Sequence, residues 1–154
     1  MAITLLDGPM GTVLIEQGHL CDGPGWSAAC IQDAPQAISA NHAAYAVAGA
    51  THHTTTTFRT RPEAVGEAWK ALATEAVKLA RAAVCVEHRI MGGIAPIADC
   101  YRPDLSPPNP GPAHAALARV LVEAGVDLLL CETFPHVEEG LAAAAACLET
   151  RCET

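Results

Sequence analysis

Aromatic side chains are scarce in this sequence: Phe, Trp and Tyr together make up 4% of its 154 residues. A core cannot then be built around rings. It must rest on Ala, Val, Leu and Ile, as happens where helices pack on a parallel sheet. Basic charge is scarce too. Nine Lys and Arg face seventeen Asp and Glu, giving a formal net charge of −8, and no two Lys or Arg adjoin. That leaves no basic patch for nucleic acid or for an anionic membrane surface. Long apolar runs are missing. No stretch approaches the ~18 residues of a membrane span, and the apolar start of the chain meets Asp7 too soon for a secretory signal. The seven cysteines are odd in number and none shows CxxC spacing. Reduced thiols in a cytoplasmic protein are the expectation.

What remains is 51% hydrophobic and 17% charged, a composition that folds around a buried core. Residues 3–6 form a short apolar run closed by Asp7-Gly8-Pro9-Met10-Gly11-Thr12, which predicts a strand running into a glycine-rich loop that continues to Trp26. Residues 35–47 predict a helix, with Asp33 as N-cap, Pro35 in the first turn and Gly49 after its end. The β-branched stretch 51–58 predicts a second strand. A long helix is expected over 62–82, and a third strand in the second part of 84–94. Six prolines mark 96–112 as a loop. A helix over 113–123 capped by Gly125, a strand over 126–131 and an alanine-rich helix over 137–149 complete the chain. Alternation of this kind implies parallel strands with right-handed crossovers.

An internal repeat supports that order. Ala48-Gly49-Ala50 with Thr56-Thr57-Phe58 is matched by Ala124-Gly125-Val126 with Glu132-Thr133-Phe134. Gly49 to Gly125 and Phe58 to Phe134 are both separated by 76 residues. Two βα units per repeat give roughly 38 residues per unit, a spacing suited to a (β/α)₈ barrel. The sequence therefore predicts an α/β fold of four βα units with parallel strands: half of a TIM barrel, treated as one partial domain over 1–154. Four units cannot close such a barrel, so two strand edges are left unpaired and invite self-association.

In βα folds, sites gather at the C-terminal ends of strands. That places Asp7, Thr55 to Thr57, Gly92-Gly93, Asp99 and Glu132-Thr133 on one face. Asp7 and Glu132 are the strongest candidates, because a carboxylate beside a tight turn or an apolar strand can hold an ammonium group. Gly8 and Gly11 let backbone N–H groups approach a ligand. His52 and His53 are adjacent in a strand, so they point to opposite faces and do not easily share one ion; non-ligand roles are expected for both. Cys85, Cys131 and Cys147 lie in apolar runs and read as inert core thiols.

Asp7-Gly8-Pro9-Met10-Gly11-Thr12, Trp26-Ser27, residues 54–60, Gly93-Ile94-Ala95-Pro96, residues 99–106 and Glu132-Thr133 occur in an order that resembles the homocysteine S-methyltransferase family. The similarity runs from Ile3 to about Leu148. It implies a (β/α)₈ barrel in which zinc turns the homocysteine thiol into a thiolate that attacks an activated methyl group, forming methionine. By motif match it implies substrate-binding roles for Asp7, Gly8, Thr57 and Glu132. The zinc cysteines of the family lie in its second half, two of them adjacent. This sequence has no adjacent cysteine pair, so it is expected to supply no metal ligand and to be inactive alone, and no catalytic residue is assigned. The family commonly carries Asn where Thr56 stands here, and apolar residues at His52 and His53.

Homocysteine and a methyl donor of unread identity are thus the expected partners. The alternative is a non-catalytic half-barrel that binds an amino acid or oligomerises. An aldolase is disfavoured, because the only lysines, Lys70 and Lys78, fall in an expected helix rather than at a strand end.

Overall fold

The computed structural model describes residues 3–154. Seven α-helices alternate with three strands: α1 Met10–Glu16, α2 Cys30–Asp33, α3 Pro35–Val47, β1 His52–Thr54, α4 Pro62–Val65, α5 Trp69–Ala83, β2 Arg89–Ile94, α6 Gly111–Ala124, β3 Leu128–Cys131 and α7 Val137–Glu149. Single turns of 3₁₀-helix occupy Trp26–Ala28, Gly66–Ala68 and Pro103–Leu105. The strands are parallel in the order β1-β2-β3, with Thr54 opposite Met91 and Gly93 opposite Leu130. Parallel bridges extend both edges: Leu6 pairs with His52, and Leu128 pairs with Glu153. Spatial order follows chain order throughout, as in a (β/α)₈ barrel.

Side chains of β2 and β3 alternate between two faces. Ile90, Ile94 and Leu129 turn outward and are buried with Val77, Leu117, Leu121 and Ala143 of the covering helices. A second apolar cluster, including Leu14, Ile31, Ile38 and Leu72, joins α1, α2 and α3 to α5. The two repeat glycines behave alike. Gly49, two residues past α3, and Gly125, directly after α6, sit at φ 104° and 94°, in the left-handed region that ends a helix and releases the chain into the next strand.

Several sequence expectations are corrected. The first strand is only a bridge at Leu6, held by Thr51 N–H on the Leu5 carbonyl and Asp7 N–H on the His52 carbonyl. The second strand stops at Thr54 rather than Phe58. Thr57 N–H turns back to the Thr55 carbonyl and the Thr55 and Thr57 hydroxyls pair at 2.8 Å, so local hydrogen bonding overrides β-propensity. The loop to Trp26 contains α1, whose signal was Leu14 four residues after Met10. Asp33 does not cap α3: it ends α2, and Ala34 stands at the cap without a side-chain bond. The long helix is interrupted at Gly66, at φ 65°. Cys85 is exposed, unlike the buried Cys147.

The proline-rich loop after β2 is fixed from beneath by Glu139 in the first turn of α7. Its side chain is 1% exposed, yet it is satisfied. Ile97 N–H donates to Oε1 at 2.8 Å, the Ser106 hydroxyl to Oε2 at 2.6 Å, and His114 Nε2 lies 3.2 Å from Oε1. Burial alone would raise this carboxyl, but the bonds from Ile97, Ser106 and His114 outweigh it and hold Glu139 below the usual range. A carboxyl depressed in the fold contributes stability above its unfolded pKa and loses it as pH falls through the folded value. The native chain therefore loses stability steeply below about pH 4.3. Glu139→Gln is less stable at neutral pH by roughly 1.5 to 3 kcal/mol and loses less over the acid interval. Urea midpoints at pH 7 and pH 3.5 check both.

Candidate functional site

The inward sheet face and the loops at the C-terminal strand ends enclose an open cleft of about 1070 Å³. Asp7, Gly8, Trp26, Thr54, Thr56 and Glu132 are among its walls. Asp7 is positioned by a bond across the sheet: Thr54 N–H donates to its Oδ2 at 2.9 Å. Glu132 follows β3, where Glu132 N–H donates to the Ile94 carbonyl. Burial first, and then the charge of Asp7, push the Glu132 carboxyl above the usual range. Two carboxylates sharing a half-buried cleft are complementary to an ammonium ligand.

Gly93 makes room for this arrangement. A side-chain carbon there would stand 2.9 Å from Glu132 Oε1 and 3.3 Å from Thr57 Oγ1. Backbone strain is concentrated nearby. Of three non-glycine residues at positive φ among the described residues, Trp26 (44°) and Thr133 (62°) both border the cleft. For β-branched Thr133 this conformation is costly and persists only where the surroundings impose it, a pattern typical of functional sites. The loop side is held by two arginines: Arg59 donates to the Ala98 carbonyl at 2.7 Å, and Arg61 to the Pro96 and Phe58 carbonyls. Burial, followed by Arg59, lowers Arg61 to about 10.

Each candidate from the sequence now has a place. Asp7, Gly8 and Glu132 border the cleft; Thr57 does not. Thr57 is fully buried, its hydroxyl donating to the Gly93 carbonyl at 2.9 Å. The cleft instead receives Thr56, which is 3% exposed and whose hydroxyl has no hydrogen-bond partner among the described residues. The 76-residue repeat already paired Thr56 with Glu132, and that alignment was the signal for it. Gly8 and Gly11 both border the cleft, and on their side-chain side they are packed closely: an added carbon would stand 2.6 Å from the Tyr45 ring and 2.3 Å from the Trp26 indole, respectively. Asp99 borders the cleft but uses Oδ1 to accept the Tyr101 N–H.

Residues 4–153 match the family described as homocysteine S-methyltransferase. The chain belongs to that family. It is similar to three solved structures of the homocysteine methyltransferase MmuM from Escherichia coli. The metallated form superposes with a TM-score of 0.83 at 29% identity over 99% of this chain and 61% of that one. The oxidized form gives 0.79 at 31% identity over 96% and 58%, and the apo form 0.74 at 28% over 99% and 57%. The chain thus spans less than two thirds of these proteins. No curated protein sequence matches it. The half-barrel expected from the sequence is the architecture found, as an open sheet.

The zinc centre implied by the family resemblance needs thiolates. Among the described residues lining this cleft, only Cys100 is a cysteine. Cys21 and Cys30, 3.6 Å apart, and Cys131 and Cys147, 3.7 Å apart, form pairs that do not line it. Among the described residues, the cleft therefore has no three-thiolate set, and the residues present do not fit that group.

The two threonines separate by substitution. Thr57→Val removes a buried donor and leaves the Gly93 carbonyl unpaired, costing about 1 to 3 kcal/mol of stability. Thr56→Val removes no protein hydrogen bond and leaves stability unchanged within about 0.5 kcal/mol. Thermal melts of the two variants side by side check this.

Proposed function

We propose that this chain supplies the amino-acid-binding side of a homocysteine S-methyltransferase, in which a methyl group passes to the homocysteine thiolate to give methionine. The observation that carries the reading is the pair of carboxylates, Asp7 beyond the Leu6 bridge at one edge of the sheet and Glu132 after β3 at the other, which border one cleft poor in opposing charge. The substrate ammonium pairs with Glu132 and Asp7, the Thr56 hydroxyl offers a further polar contact, and Gly93 leaves room for the Glu132 carboxylate. The ammonium offsets the repulsion between the two acids, so binding relieves an unfavourable feature of the empty cleft.

Zinc, when bound by a complete enzyme, supplies thiolate activation near neutral pH. This chain's cleft contributes no thiolate set, and its residues act on substrate position: they orient the amino-acid end and hold the loop that covers it. One similar structure is described as metallated, which supports a metal in the complete reaction. The methyl donor is a second small molecule. No helix of the described residues is long and apolar enough to cross a membrane. Seven cysteines present as free thiols suit a reducing compartment, so the reading includes the cytoplasm.

Glu132→Gln keeps the shape and removes the charge. A hydrogen bond to a charged partner is worth roughly 1.5 to 3 kcal/mol, so homocysteine affinity falls about tenfold to a hundredfold, with little change in melting temperature. Calorimetric titration of homocysteine into the native and substituted chains measures it. An unchanged affinity would show that the ammonium sits elsewhere.

A further inference from the structure

Behind the cleft, on the helix-covered side of β1, three side chains converge that the methyltransferase reading does not use together. His53 is the outward residue of β1, and His42 comes from the facing side of α3; both are fully buried. Asp7 reaches them from the end of the first strand, its side chain 3% exposed and Oδ2 lying 3.5 Å from His42 Nδ1. One ligand atom from each of the three lies within 4.8 Å of the others. Among the described residues, neither nitrogen of His42 has a hydrogen-bond partner, nor does His53 Nδ1. Buried imidazole nitrogens are normally satisfied, and three orphans at one point require an explanation.

We propose that Asp7, His42 and His53 bind a divalent transition-metal ion, at a site separate from any thiolate centre. Two imidazoles and one carboxylate are a borderline donor set, suited to zinc, cobalt or ferrous iron rather than to magnesium or calcium. An ion with bonds of about 2.0 to 2.1 Å holds tetrahedral donors about 3.4 Å apart. The Asp7–His42 pair already has that spacing, and a side-chain shift of about an ångström brings in the third.

The surrounding bonds are those a ligand set needs. His53 Nε2 lies 3.0 Å from His88 Nδ1, with the two ring planes 7° from parallel. When Nε2 carries the proton and donates to His88, the lone pair of His53 is left on Nδ1, the orphaned atom. Asp7 is fixed by Thr54 N–H on Oδ2, whose second lone-pair site remains for the ion on the His42 side. His52, one residue earlier, faces away, with Nδ1 3.1 Å from the Thr51 hydroxyl. The sequence argument that adjacent strand histidines do not easily share an ion therefore holds; the partner of His53 comes from α3 instead. Bound there, the ion clamps the single bridge of the first strand to β1 and α3, and stabilises the fold by mass action.

Cobalt(II) titration of the intact chain tests the site. Expected are one equivalent bound, visible d–d absorption of a nitrogen- and oxygen-ligated ion, no near-ultraviolet thiolate charge-transfer band, and a raised melting temperature. His42→Ala and His53→Ala each weaken binding at least about a hundredfold, whereas His52→Ala leaves it unchanged. Failure to bind one equivalent, a thiolate band, or equal binding by His53→Ala overturns the proposal. Should an alanine variant not fold, zinc titration of the unsubstituted chain followed by histidine ring NMR decides. The His42 and His53 signals shift while those of His19 and His136 stay; any other pattern refutes the site.

Discussion

Asp7 carries the joint on which the cleft depends. The first strand is reduced to one bridge at Leu6, and a single parallel bridge does not fix a strand end. The bond from Thr54 N–H to Asp7 Oδ2 adds a side-chain rung beyond the point where the backbone ladder stops. A bond of this kind to a charged acceptor is about twice as strong as a neutral one, and it joins the turn after Leu6 to the turn after β1. Those two turns are the walls of the cleft. A carboxylate here therefore holds the site's shape as well as its charge.

The rest of the cleft follows from parallel-sheet geometry. With Ile90, Ile94 and Leu129 committed outward to the helices, Gly93, Leu130 and Glu132 must face the opposite side. Glycine at 93 is then a spatial requirement, since its neighbours on β1 and β3 both project into the same volume. The strain at Thr133 follows as well. After Glu132 the chain must leave the sheet at once to reach the start of α7, and a positive φ achieves that within one residue.

How much of this the sequence carried depended on the range of the deciding interaction. Helices α3 and α7 were legible to the residue, because their signals are local: proline in the first turn of one, a glycine just past its end, an alanine-rich run in the other. The constant offset from Gly49 to Gly125 carried the barrel, because helix end, strand and loop recur at one spacing. The stretch 55–58 misled for the opposite reason. Its threonines score as strand, but the Thr55 and Thr57 hydroxyls pair with each other once Thr57 is drawn under Gly93, 36 residues away. Nor does anything local distinguish Thr56 from Thr57; only the direction of the turn after Thr54 sends one to the cleft and the other beneath it. His42 carried no signal at all, since a histidine within a helix acquires meaning only when α3 is laid against β1.

Asp7 also makes the two sides of the sheet interdependent. Its carboxylate borders the cleft and, on the proposed reading, belongs to the metal set behind β1. One carboxylate cannot give its full charge to both an ammonium group and a divalent ion. An ion that draws on Asp7 lowers the negative potential felt in the cleft, leaving Glu132 as the main partner of the ammonium. The same ion also fixes Asp7 against Thr54 and so preserves the cleft wall. Charge and order thus act in opposite directions on the same ligand. By linkage, whatever the ion does to substrate affinity the substrate does to the ion. At about 4 Å in a partly solvated site, a unit charge is worth several kcal/mol before screening, and ordering a wall already bonded to Thr54 gains less. The charge effect wins, and the two ligands oppose each other across β1.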